Sequence, residues 1–290
     1  MRILDEKMLK NHGNFKIFVT CEKRYKMEIM TVNEICKKIK APKEMHKYIG
    51  QWLVPKSVLR KLTDISTAAD GYAEIKNLLG NDPNGLKMFA CMMEAATITY
   101  EKYRELGIDE KIFSDTISCF TRFTAEHLAS YGKIGFDRGF WTYHQLSCVL
   151  FRIGELEYEY RDDERTVHLH IPSGSDISMS KCKSSLKNFK EFTTKYFQNK
   201  NYPIVCGSWL VSPALKELLP EDSKIIKFQQ CFEIIKWDKA EIEFLQWVYG
   251  RKDMAYSDLP ETTSLQRKMK AHLINGGAIG SAKGRLIDFK

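Results

Sequence analysis

The 290-residue chain has eight scattered cysteines but no CxxC pair, no HExxH, no GxSxG and no glycine-rich loop ending in GKS or GKT. These absences remove sequence support for a paired-cysteine zinc site, a zincin, a nucleophile-elbow hydrolase and a P-loop nucleotide site. No apolar run approaches the ~18 residues that a membrane-spanning helix needs. The opening "MRILDEKMLK" also lacks the apolar stretch of a secretion signal. Reduced thiols, a cytoplasmic protein and no membrane partner are the expectations. Internal repeats and low-complexity tracts are absent as well.

What is present is ample core material: 43% of residues are hydrophobic, 12% aromatic and 28% charged. That composition belongs to a globular chain, and its length favours two modest domains over one. The net charge of +8 is local, because residues 1–50 hold 12 Lys/Arg against 6 Asp/Glu. Between Lys37 and Lys61 eight cations face one acid, Glu44. Such a stretch can attract phosphates or nucleic acid. A solvated helical face explains it more simply, and no nucleic-acid partner is expected.

The spacing predicts short helices in "VNEICKKIKAP" and "EMHKYIGQWLV", broken by Pro42, and longer ones in "GLKMFACMMEAATITYEKYRELG" and "EKIFSDTISCFTRFTAEHLASYG". Three glycines in "YGKIGFDRGFWT" then interrupt the pattern, and the periodicity beyond them alternates. A boundary near residue 135 follows, with a mainly helical domain at 1–135 and a second domain at 136–290. "LFRIGELEYEY" and "RTVHLHI" read as strands of a hairpin joined by the turn "RDDE". "MSKCKSSLKNFKEFTTKYF" is an amphipathic helix with Asp176 or Ser178 at its cap. "YPIVCGSWLV" reads as a buried strand, "SPALKELL" as a short helix, and "IIKFQQCFEII" and "EIEFLQWVYG" as a pair of strands. "INGGAIGSAKGR" ends a helix in a glycine-rich turn.

Two places could carry chemistry. Pleating puts His168 and His170 on one face and Val167, Leu169 and Ile171 on the other; in the preceding strand Glu155, Glu157 and Glu159 share a face. Matching the apolar faces matches the acidic and histidine faces too. A two-residue turn at Asp162–Asp163 would then set Glu155 beside His170 and Glu157 beside His168. A carboxylate beside a histidine orients the ring and suits a general base. The alternative is an exposed sheet face whose charges pair for well under about 1 kcal/mol. His-x-His without a third ligand gives no metal site, and none is expected. The second place is the strand, "IPSGSDIS" loop and helix order. The loop feeds a helix N-terminus whose free N–H groups can hold a phosphate, helped by Lys181 and Lys183. An ordinary turn capped by Asp176 is the other reading of the same residues.

"FDRGFWTYHQLSCVLFRIGELEYEY", "LHIPSGSDIS", "CGSWLVSPALKELLP" and "LPETTSLQRKMKAHLINGGAIG" resemble the bacterial acyltransferase domain-containing proteins that join a helical N-terminal domain to a GNAT-like C-terminal domain. The resemblance implies an α/β (α+β) fold, with a mixed central sheet flanked by helices. It implies a CoA-dependent N-acyltransferase using acetyl-CoA or another acyl-CoA, with a small-molecule or peptide amine as acceptor. A non-catalytic GNAT-like ligand- or partner-binding protein is the alternative. In GNAT enzymes acyl-CoA lies between two central strands that splay apart, here residues 166–171 and 204–211. Ile171, Ser173, Gly174, Ser175, Asp176, Ile177 and Lys181 would then hold the pyrophosphate. Backbone N–H groups near Cys206 and Ser208 would polarise the thioester, and Glu155 or His170 would take the amine proton. The family's Q/R-x-x-G-x-G/A motif and its general-acid tyrosine have no counterpart in "PSGSDIS" and "SPALKELL".

Overall fold

The computed structural model describes residues 30–198 and 200–289. "MRILDEKMLK" and Cys21, which entered the signal and thiol arguments, lie outside the described residues. Seven helices come first: α1 (Val32–Lys38), α2 (Lys56–Lys61), α3 (Ile65–Leu79), α4 (Leu86–Glu105), α5 (Glu110–Ile117), α6 (Cys119–Tyr131) and α7 (Gly139–Leu146). Strands β1 (Leu150–Ile153), β2 (Leu156–Arg161) and β3 (Thr166–His170) follow, then α8 (Met179–Tyr196) and β4 (Ile204–Ser208). The chain continues through α9 (Leu215–Leu218), α10 (Lys224–Gln229), β5 (Phe232–Asp238), α11 (Phe244–Tyr249), α12 (Ser264–Ile274) and β6 (Ser281–Leu286). Among the described residues, no helix is long and apolar enough to cross a membrane.

Local chemistry explains many of these boundaries. Thr31 and Glu34 close a capping box at the start of α1, which satisfies two N–H groups that a helix end otherwise leaves free. Phe89, Met92, Met93, Ala95, Ala96 and Tyr103 of α4 are all fully buried, so this helix is the axis of the helical part. Two cations of the lysine-rich stretch pair with acids, Lys38 with Glu110 and Lys61 with Glu74.

The six strands form one mixed sheet in the order β1-β2-β3-β4-β6-β5. β3 and β4 run parallel at its centre, and only Val167–Ile204 and His168–Val205 pair between them. Beyond those two pairs β3 and β4 share no ladder, while β4 stays paired with β6 through Ser208. The ladder between residues 166–171 and 204–211 is therefore not continuous: it stops at His168–Val205. One apolar core runs without a break from Met30 through the sheet to Phe289. A second, smaller one lies around Phe244, Leu245, Met269 and Leu273.

Several local expectations differ from the structure. "IIKFQQCFEII" divides into helix α10 and the start of strand β5, and "EIEFLQWVYG" contains helix α11 and not a strand, since a three-to-four-residue apolar spacing in a short run also suits a helix. "SAKGRL", expected as part of a glycine-rich turn, is strand β6. Its Gly284 sits where a Cβ would come within 3.0 Å of the Phe232 Cβ, so the glycine serves close strand approach. "LFRIGELEYEY" is two strands folded at Gly154, and α7 is a helix where alternation was expected. "EKIFSDTISCFTRFTAEHLASYG" is two helices that meet at Ser118.

On one face of β2, Tyr158 stacks on Phe189 of α8 with ring centroids 4.0 Å apart, and Tyr160 stacks on Phe197 at 4.4 Å. These contacts clamp α8 to the sheet. Phe189→Ala should destabilise the protein by about 3–5 kcal/mol, read as a lower urea midpoint with an unchanged slope.

Candidate active site

The β2–β3 hairpin turn spans residues 162–165, so the register differs by two residues from the expectation. Glu157 lies opposite His170, and Glu159 opposite His168. Glu155 is therefore not beside His170. It sits in the β1–β2 turn, where its Oε2 accepts from the Asp176 N–H at 3.2 Å and its carbonyl accepts from the Ser175 hydroxyl at 2.8 Å. Its role in the structure is to brace the loop.

The acidic face of β2 is not exposed sheet surface either. Glu157 is 2% and Glu159 0% exposed, because α6 and α7 cover this side. Arg122 of α6 meets Glu157 at 3.0 Å. Glu159 receives three partners: His170 Nε2 at 2.9 Å on one oxygen, with His144 Nδ1 and Arg161 Nε, both at 2.7 Å, on the other. Burial alone would raise the Glu159 pKa, but the hydrogen bonds and charges of the two histidines outweigh it and hold the carboxyl well below its usual range. Trp141 packs edge-on against the His170 ring at 5.0 Å. His168 instead pairs with Glu164 at 3.2 Å, and burial pulls its pKa down against that pairing.

A cavity of about 870 Å³ opens beside the ends of β3 and β4, beyond the last residues they pair. His170, Ile171, Ser173, Gly174, Ser175, Ile177 and Ser208 line it, which gathers most of the residues expected to bind a cofactor. The remaining three do not line it. Asp176 accepts from the Ser178 N–H at 3.0 Å and pairs with Lys224 at 2.9 Å; the Lys224 hydrogen bond leads in lowering its pKa. Lys181 is exposed on the first turn of α8. Cys206 is fully buried, and burial pushes its thiol up to about 12. Gly174 has φ +77° with open space around a Cβ position; its glycine answers a left-handed backbone.

Arg122, Phe140, Trp141 and Trp247 also line the cavity, and sequence reasoning did not single them out. Their contribution depends on α6, α7 and α11 lying against the sheet, for which no short-range signal exists. Glu159 was visible as part of the acidic face, but its partner His144 was not. Among the described residues no group of three or more His, Cys, Asp or Glu is arranged to hold a metal ion.

With this geometry in place, comparison with known proteins gives a consistent class. Residues 30–148 match the N-acyltransferase N-terminal domain, and residues 150–286 match the GNAT-like C-terminal domain. The chain belongs to the proteins that join these two domains, and it has an acyltransferase fold. A crystal structure of an acyltransferase in complex with decanoyl-CoA and teicoplanin is similar at TM-score 0.73 and 18% identity, covering 90% of each chain. An acyltransferase mutant in complex with octanoyl-CoA also reaches 0.73 at 18% identity, covering 88% of this chain and 87% of that one. An acyltransferase in complex with CoA and 10C-teicoplanin reaches 0.66, covering 89% and 99%. No curated protein matches the chain.

Glu159 also sets a pH dependence of stability. Its folded pKa lies below the ordinary 4.5. The stability it contributes is therefore fully present above that value and is lost as pH falls towards the folded one. Urea midpoints followed from neutral pH down through about 3 should fall more steeply for the native protein than for Glu159→Gln, which should already be less stable at neutral pH.

Proposed function

We propose that this chain is a CoA-dependent N-acyltransferase. The observation that carries the reading is the cavity at the ends of β3 and β4, where their ladder stops, with His170 in its wall and the 172–178 loop at its edge. The similar acyltransferase structures, which hold decanoyl-CoA or octanoyl-CoA, support acyl-CoA as co-substrate. The pantetheine arm enters between β3 and β4, where the missing ladder leaves backbone groups free to meet its amides. Amides of Ser173, Gly174 and Ile177 face the pyrophosphate, and Asp176 keeps its own charge committed to Lys224 and the start of α8.

In the reaction the acceptor amine attacks the thioester carbonyl, so that a C–N bond forms and the C–S bond breaks. Backbone N–H groups of Cys206–Ser208 that face β3 steady the developing oxyanion. His170 takes the amine proton, and the sulfur leaves as the CoA thiolate. Acetyl-CoA and longer acyl-CoAs are the donors to try, with small-molecule and peptide amines as acceptors. Dependence on acyl-CoA fits a cytoplasmic setting.

One observation favours the alternative of a GNAT-like binding protein without activity. The Ser173 and Ser175 hydroxyls and the Asp176 N–H are already engaged by Glu126 and Glu155. A thermal-shift titration separates the readings: saturable stabilisation by an acyl-CoA is expected, and no response across chain lengths from acetyl to decanoyl would remove the enzyme reading.

His170→Gln should lower kcat roughly a hundredfold or more, abolish the ascending limb of the pH–rate profile and leave acyl-CoA affinity nearly unchanged. Wild-type rate and profile in that variant would return His170 to a structural role. Gly174→Asn tests the loop without forcing its backbone, because Asn tolerates the left-handed region. The added side chain should weaken CoA binding roughly tenfold, measured by calorimetry on a variant whose Tm is unchanged.

A further inference from the structure

The buried carboxylate of Glu159 bridges two histidines through different oxygens, His170 Nε2 at Oε2 and His144 Nδ1 at Oε1. An ionised carboxylate has acceptor sites only. Each ring nitrogen facing it must therefore carry a proton. In neutral rings that assigns Nε2–H to His170 and Nδ1–H to His144, and it leaves the His170 lone pair on Nδ1. Since His170 lines the cavity, the nitrogen left for a ligand is the one turned away from Glu159.

Both rings are held by more than the carboxylate. His144 is 8% exposed and stacks on Tyr143, with ring centroids 4.6 Å apart, while Trp141 lies 4.8 Å from it and 5.0 Å from His170. Arg161 supplies the carboxylate with a permanent positive charge at 2.7 Å, so the anion the two rings share stays compensated. His168, with its ring centroid 6.4 Å from that of His170, is directed to Glu164 instead.

We propose that Glu159 is the positioning residue of the active site, holding His170 in the Nε2–H form so that Nδ1 accepts the amine proton, with His144 as the second donor that fixes the carboxylate. This rests on the reading of His170 as the base. During transfer the proton leaves the amine for Nδ1, and the imidazolium then formed is stabilised by Glu159 across the 2.9 Å contact. The device ties the chemistry to α7, which carries both His144 and Trp141.

Two measurements test it. Long-range ¹H–¹⁵N spectra of the imidazoles of the wild-type protein, followed with pH until the rings are neutral, should then show a protonated Nε2 and a bare Nδ1 for His170, and the reverse for His144. A protonated Nδ1 on neutral His170 would overturn the assignment. The second is the kinetics of Glu159→Gln, below its unfolding temperature. Its amide offers one acceptor and one donor, so one ring must invert or lose its bond. The expected result is a kcat lower by roughly a hundredfold, with KM for acyl-CoA within about threefold and an altered pH profile. His144→Asn, which keeps an N–H donor, should recover more activity than His144→Leu.

The two proposals fail in different ways. A fully active His170→Gln removes the base itself. An inactive His170→Gln beside a folded Glu159→Gln with wild-type kcat and pH profile removes only the positioning role. If Glu159→Gln does not fold, the wild-type spectra decide.

Discussion

Two carboxylates on one strand, buried under helices, set the terms for the rest of the molecule. Glu157 and Glu159 project from β2 into a region with almost no solvent, where an unpaired charge costs several kcal/mol. The helical part supplies what they need: Arg122 from α6 for Glu157 and His144 from α7 for Glu159. The sheet adds Arg161 and His170. The seam between helices and sheet is therefore polar at its centre and apolar around it. The continuous core from Met30 to Phe289 includes residues of both the helices and the sheet that flank this seam.

The same seam places the cavity. β3 brings His170 up to the carboxylates and ends there, two residues beyond His168, the last residue it pairs with β4. β4 keeps its far edge on β6, so only its near edge is left open. α6 and α7 roof the space with Arg122 and Trp141, and the α11 region supplies Trp247. A loop that begins at Pro172 is tied to the helical part through Ser173 and Glu126, and to the sheet through Glu155. Movement of the helices relative to the sheet would thus reach the loop directly.

Close alternation of charge and aromatic rings along β2 explains why this strand is buried on both faces. Tyr158 and Tyr160 meet α8 on one side, and their hydroxyls find Ser185 and Thr193 at 3.0 Å and 2.7 Å. The acids meet the helical part on the other. In a one-sided antiparallel sheet, alternation means core and solvent. Here it means two cores of different chemistry.

The sequence by itself determined the helical character of the first part, the hairpin, the long amphipathic α8 and the glycine-bearing loop ahead of it. These depend on periodicity, turn residues and helix starts, all of which act over a few residues. It also carried the resemblance to proteins with an acyltransferase domain. Tertiary structure decided the hairpin register, because a four-residue turn and a two-residue turn preserve the same face matching and differ only in which carboxylate meets His170. It decided that "SAKGRL" is the strand between β4 and β5, since its glycine is explained only by the approach of Phe232 from the next strand. It decided, too, that α10 and α11 are helices, where short apolar runs fit either period. The partnership of His144 with Glu159 spans 15 residues and two kinds of element, and no local pattern encodes it. It exists because a buried carboxylate must be satisfied, and only the packed fold determines which donors can reach it.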